Sequence, residues 1–238
     1  FYSTGVTGNI VGSNNSFTLS NIAASSTTQY IYSSNLATSN SFSYNTFAAG
    51  TISSTGTVYL IYASSSTPDV TVSGNVTVGT ITHGGGSTYC YYNFGSPASG
   101  TETITNNNFS NITVSTGSSG LYGIYTNTAV GQNRVTSNNT VSNLNHLGTG
   151  AVYGLYALST TSNQVNDNNV FDITTGGTVY GLYFSGTNPT VYNNNVYNLT
   201  TSGTSMYGLY NSGTGTTNCY KNQVYNLTNN NASATLYG

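Results

Sequence analysis

The sequence predicts an all-β fold: a single-stranded parallel β-helix, or β-solenoid, of about eight coils with 27–33 residues each. Three observations predict it. A tetrapeptide recurs along the whole chain at near-constant spacing. Short stretches of alternating apolar residues sit in register with it, separated by Gly, Ser, Thr and Asn. Helix formers are nearly missing, with Lys and Arg numbering 2 and Asp and Glu 4 in 238 residues, while strand-favouring Val, Thr and Tyr are plentiful.

The tetrapeptide is clearest at Tyr122-Gly123-Ile124-Tyr125, Tyr153-Gly154-Leu155-Tyr156, Tyr180-Gly181-Leu182-Tyr183 and Tyr207-Gly208-Leu209-Tyr210. Weaker copies begin at Gln29, Tyr59 and Tyr89, and the chain ends inside another at Tyr237-Gly238. Its fourth position is Tyr throughout: Tyr2, Tyr32, Tyr62, Tyr92, Tyr125, Tyr156, Tyr183 and Tyr210. Alternation places the third position (Ile124, Leu155, Leu182) inward. The Tyr row, Gly123 and Leu121 then face outward, and Tyr122 inward. A ring lying over the bare Gly backbone would explain the Gly–Tyr pairing. The outward row of eight tyrosines is the candidate contact stripe.

A second segment follows each tetrapeptide, reading Asn-Asn-Val-x-Asn-Leu at Asn194 to Leu199. Its last apolar position runs through Ile22, Ile52, Ile81, Ile112, Leu144, Ile173, Leu199 and Leu227. A further apolar column lies upstream at Ile104, Val135, Val165, Val191 and Cys219. A lone unit of this size cannot bury such columns, but stacked units can. Each strand then pairs with its equivalent one coil along, at roughly 4.8 Å. Right-handed coiling is expected by analogy with parallel crossovers.

Stacking makes each residue its own neighbour, which disfavours charge and favours amides that donate and accept along the column. Asn also tolerates the left-handed backbone of a sharp corner. Asn108, Asn139, Asn169 and Asn195 are the candidates for one structural ladder, and Asn111, Asn143, Asn198 and Asn226 for a second. Asp172 falls in the second column as a ladder variant.

The composition excludes several functions. Two basic residues cannot form a phosphate-neutralising patch, so nucleic acid is not an expected partner. No stretch approaches the ~18 apolar residues of a membrane helix. Cys90 and Cys219 are too few for a disulfide framework and read as small apolar fillers. Catalytic chemistry is poorly supplied. Glycoside hydrolysis needs two carboxylates about 5–10 Å apart. Asp167 and Asp172 are the only pair close in sequence; Asp167 shares a column with Asn193 and Lys221, while Asp69 and Glu102 read as unpaired. His83 and His146 share a face two coils apart, too far for one metal. No catalytic residue, metal or cofactor is expected. An ice-binding surface would need a Thr column through all coils, and none is evident.

The ladders and coils resemble the pectate-lyase-like parallel β-helix family, which implies polysaccharide-cleaving relatives but brings no catalytic motif here. The tetrapeptide and the Asn-Asn-Val-x-Asn-Leu copies also resemble repetitive surface proteins of Bacteroidota-type bacteria. That resemblance is strongest from about residue 104 and implies a surface adhesin or filament component. The expectation is one continuous repeat array over residues 1–238, a segment of a longer chain. It would be extracellular or at the cell surface, non-enzymatic, and partnered by copies of itself or by neighbouring repeats. Carbohydrate binding along the tyrosine stripe is the alternative, with surface glycans as the partner; a polysaccharide lyase or hydrolase is the third.

Overall fold

The computed structural model describes residues 1–18, 26–34, 37–63, 66–127 and 131–238. Ile22 lies outside the described residues. The chain winds into a parallel β-solenoid of about seven turns. Each coil contributes one strand to each of three parallel sheets, of nine, eight and eight strands. In one coil these strands are Leu121–Asn127, Asn133–Ser137 and Thr140–His146. Every pairing joins equivalent strands of adjacent coils, so the sequence period becomes the spatial period. Among the described residues no helix is long and apolar enough to cross a membrane.

The first sheet carries the tetrapeptide, and strict alternation fails there. Leu121, Gly123 and Ile124 are buried, while Tyr122 and Tyr125 are half-exposed. Two successive residues therefore point inward, and both tyrosines face out. The expectation that Leu121 faces solvent is overturned; it is fully buried core, as are Val152, Val179 and Met206 at the same position of later coils. The glycine is required by the interior. A Cβ on Gly123 would lie 2.4 Å from Val141 Cγ1, and one on Gly154 would lie 2.3 Å from Val170 Cγ1. The missing side chain lets the first sheet approach the Val column of the third, rather than seating a Tyr ring.

The third sheet carries that column, with Phe109 over Val141 over Val170 over Val196 over Val224. The Ile81, Ile112, Leu144, Ile173, Leu199 and Leu227 column is in register as expected. Ile52 instead pairs with His83, and Gly50 lies opposite Ile81. In the second sheet Ile104 pairs with Thr136, and Thr136 with Val165, so Val135 is not in that column. The alternation of Asn133–Ser137 turns Arg134 and Thr136 inward.

Sharp corners are made by left-handed residues. Asn14, Tyr44, Gly74, Asn106, Asn138, Asp167, Asn193 and Lys221 all have φ between 54° and 63°, and they mark the corner between the second and third sheets. Lys221 and Asp167 are thus corner residues in one column with Asn193, as their spacing predicts. At the opposite corner, a side chain caps the turn by accepting the N–H two residues on. Thr175 does so for Gly177 at 2.9 Å, Thr201 for Gly203 at 2.8 Å, and His146 for Gly148 at 3.1 Å.

Candidate functional site

Four features carry chemistry: the tyrosine face, two amide ladders, a buried ion pair and a polar trough. On the tyrosine face, Tyr2, Tyr32, Tyr62, Tyr92, Tyr125, Tyr156 and Tyr183 stack in sequence at centroid separations of 4.5–5.2 Å. Tyr210 follows at 4.8 Å, tilted by 35°. The first-position tyrosines, which alternation alone turns inward, form a parallel row. Tyr59, Tyr89, Tyr122, Tyr153, Tyr180, Tyr207 and Tyr237 stack at 4.5–5.0 Å. The rows meet edge-on within each coil, as Tyr122 and Tyr125 do at 5.1 Å and 81°. Stacked and edge-to-face contacts both suit the ring quadrupole. Burial, and then neighbouring phenols, raise the pKa of Tyr122 to about 12. Burial likewise pushes up Tyr89, Tyr92, Tyr153 and Tyr156.

The buried amide ladder runs through Asn15, Asn45, Asn75, Asn107, Asn139, Asn168, Asn194 and Asn222, each Nδ2 donating to the next Oδ1 at 2.9–3.0 Å. Each Oδ1 also accepts the backbone N–H of the preceding ladder residue, as Asn107 does from Asn75 at 3.0 Å. Of the four residues assigned to this ladder from sequence, only Asn139 belongs to it. Asn108, Asn169 and Asn195 lie one residue later, at the start of the third sheet, where Thr140 interrupts their column. The ladder residue stands two before the inward Val, which is the parity that identifies it.

The second ladder is on the surface and follows the sequence reading. Asn143 Nδ2 donates to Asn111 Oδ1 at 2.9 Å, Asn198 Nδ2 to Asp172 Oδ1 at 2.8 Å, and Asn226 Nδ2 to Asn198 Oδ1 at 3.0 Å. All five residues are left-handed, with φ of 50–60°.

Glu102 is not unpaired. Its carboxylate is fully buried against Arg134, with Nη2 at 2.6 Å and Nε at 2.7 Å from Oε2. Tyr91 Oη donates to Oε1 at 2.5 Å and Asn93 Nδ2 at 2.7 Å. Burial, and then the adjacent carboxylate, hold the Tyr91 phenol well above its ordinary value. The signal was parity: Glu102 alternates with inward Ile104, and Arg134 with inward Thr136.

His83 and His146 do share an inward column, separated by Val114. His83 Nδ1 pairs with the Thr88 hydroxyl at 2.7 Å, and burial lowers its basicity. His146 Nε2 lies 2.7 Å from the Ser119 carbonyl, so that nitrogen donates and Nδ1 accepts. Cys90 is fully buried at the glycine position of its tetrapeptide, where burial raises its thiol; Cys219 is exposed, and both are free. No group of three His, Cys, Asp or Glu placed to hold a metal occurs among the described residues.

Beside the surface ladder runs a threonine column that was not evident in the sequence. Thr51, Thr82, Thr113, Asn145, Thr174, Thr200 and Thr228 are paired in register, with Asn145 the one departure. The two columns border an open polar trough of about 450 Å³. Comparison of the chain with protein-family models, with curated proteins and with solved structures finds no match to any.

Proposed function

We propose that the chain is a non-enzymatic structural rod, the shaft of an adhesin or filament displayed outside a bacterial cell. The observation that carries this reading is the continuity of the ladders. Two tyrosine rows and the buried asparagine row run from coil to coil along the rod. They tie each turn to the next by side chains as well as by backbone. The carboxylates support it too. Glu102 is held in the interior by Arg134, Asp172 stands in a ladder, and Asp69 accepts the Thr101 N–H at 3.0 Å.

The tyrosine face serves lateral contact between rods. Its rings are half-buried, and their faces are covered by the rings above and below, so edges and hydroxyls meet the surroundings. A sugar that stacks on an aromatic needs an open ring face. The covered faces therefore weigh against carbohydrate binding along this stripe. They leave a regular amphipathic surface suited to a second copy.

Sedimentation velocity and negative-stain microscopy of the purified chain test the proposal, together with antibody labelling of unpermeabilised source cells. Side-by-side rods and surface labelling are expected. A chain that stays monomeric at about 100 μM, well above the micromolar range of ordinary interfaces, would overturn the lateral contact. Release of unsaturated sugars from acidic polysaccharide would overturn the non-enzymatic reading.

A further inference from the structure

The surface ladder has one step that cannot close. In an intact step an amide donates back to the preceding coil while its own oxygen accepts from the coil ahead, as Asn198 does between Asp172 and Asn226. Asn143 donates back to Asn111, so by the same geometry its oxygen faces Asp172. An ionised carboxylate has no hydrogen to give. Two acceptors therefore oppose each other across one coil step, a separation of about 4.8 Å.

A second observation falls at the same place. Asn145 interrupts the threonine column in the same coil as Asn143, and its Oδ1 is a buried acceptor without a hydrogen-bond partner among the described residues. Asn143, Asn145, Asp172 and Thr174 all line the polar trough. The trough is thus lined by one carboxylate, two amides and a hydroxyl; Asn143 and Asp172 are exposed in it, while the Asn145 oxygen is shielded from solvent. Opposed acceptors are unfavourable unless positive charge or a donor lies between them.

We propose that this step binds a hard divalent cation of calcium's size. Calcium takes carboxylate, amide-carbonyl and water oxygens at about 2.3–2.6 Å in adaptable geometry, so one ion fits between oxygens a coil step apart. Magnesium, which demands a near-ideal octahedron and sheds water reluctantly, suits the open trough less well. A single carboxylate places the affinity in the weak range of extracellular modules, roughly 0.1–1 mM. The bound ion completes the ladder and joins the Asn143 coil to the Asp172 coil. The site is independent of the lateral contact proposed above.

Terbium luminescence sensitised by the tyrosines, competed with calcium, reads the site directly, and thermal melting with added calcium reads its linkage to folding. At ten times the dissociation constant the melting temperature should rise by about 3–6 °C. Asp172→Asn supplies the missing donor. It should weaken terbium and calcium binding at least ~10-fold, while melting higher than the wild type does without calcium. Asn145→Thr restores the column and should weaken binding several-fold. Asp167→Asn, at the corner of the same coil, should leave binding unchanged. The proposal is overturned if calcium changes neither signal up to about 10 mM, ten times the weakest affinity assigned. It is overturned equally if Asp172→Asn binds as tightly as the wild type.

Discussion

Replacing Asn107 by Ala separates the buried ladder from its neighbouring column more sharply than any other change. The side chain makes four hydrogen bonds. Its Oδ1 accepts from Asn75 N at 3.0 Å and Asn75 Nδ2 at 2.9 Å; its Nδ2 donates to the Val72 carbonyl and to Asn139 Oδ1, each at 2.9 Å. Asn75 Nδ2 keeps its bond to the Phe42 carbonyl, and Asn139 Oδ1 keeps the Asn107 N–H. The buried Asn75 N–H keeps nothing. Three lost bonds at about 0.5–1.5 kcal/mol each, plus one stranded donor at about 1–3 kcal/mol, give a destabilisation of roughly 5 kcal/mol. For a chain of this size that lowers the melting temperature by about 10–20 °C. Asn108→Ala is the internal control. Asn108 is exposed, and among the described residues its side chain accepts only from the Ser110 hydroxyl, so about 0.5 kcal/mol is expected. Circular dichroism melts of both variants, with hydrogen exchange at the Asn75 amide, check the pair. An Asn108 variant as damaged as the Asn107 variant, or an Asn107 variant within ~1 kcal/mol of wild type, refutes the ladder assignment.

Three further outcomes follow from the same geometry. Glu102→Val leaves the Arg134 guanidinium buried without its carboxylate and should cost about 3–5 kcal/mol in urea titration. The double variant Glu102→Val, Arg134→Met should recover most of that loss, and a double variant worse than the single would contradict it. Gly154→Ala puts a methyl 2.3 Å from Val170 Cγ1 and 2.6 Å from the Gly181 carbonyl oxygen, so about 1–3 kcal/mol of stability is lost. An unchanged melting temperature there would mean the first and third sheets are less closely packed. At high pH the stacked phenols that burial pushes up, Tyr89, Tyr92, Tyr122, Tyr153 and Tyr156, favour the folded state only while neutral. Because Tyr122 is raised from 10.0 to about 12, its contribution is complete below pH 10 and is lost as pH climbs towards 12. A fraction of the phenolate absorbance should lag that of free tyrosine and rise together with unfolding, whereas titration of every phenol at the free value in the folded chain would count against buried stacking.

The repeat made much of the fold legible. Spacing alone put Tyr125 on Tyr156 on Tyr183, and Ile112 on Leu144 on Ile173, because in-register stacking converts sequence period into contact. It also identified Asp172 as standing in for Asn. What it misread was orientation within a coil. Strict alternation turned Tyr122 inward and Leu121 outward, since nothing local marks a strand with two successive inward residues. The runs of Asn hid which member of each doublet was buried, and Asn108 was preferred to Asn107. The parity of Glu102 with Ile104 was present in the sequence, but a charged residue is ordinarily read as exposed. Its partner lies 32 residues away on the next coil.

The sequence by itself determined that this chain stacks on itself, how long each coil is, and which residues meet their own copies up the rod. Periodicity carries that information, because every coil solves the same burial problem as its neighbour. The tertiary structure decided what faces what across the coil. Gly123 must yield to Val141, Glu102 must find Arg134, and the Asn143–Asp172 step must lack a donor. Those outcomes depend on where three sheets converge and on the backbone twist at each left-handed residue. A one-dimensional repeat fixes neighbours along the stack, but not the distances across it.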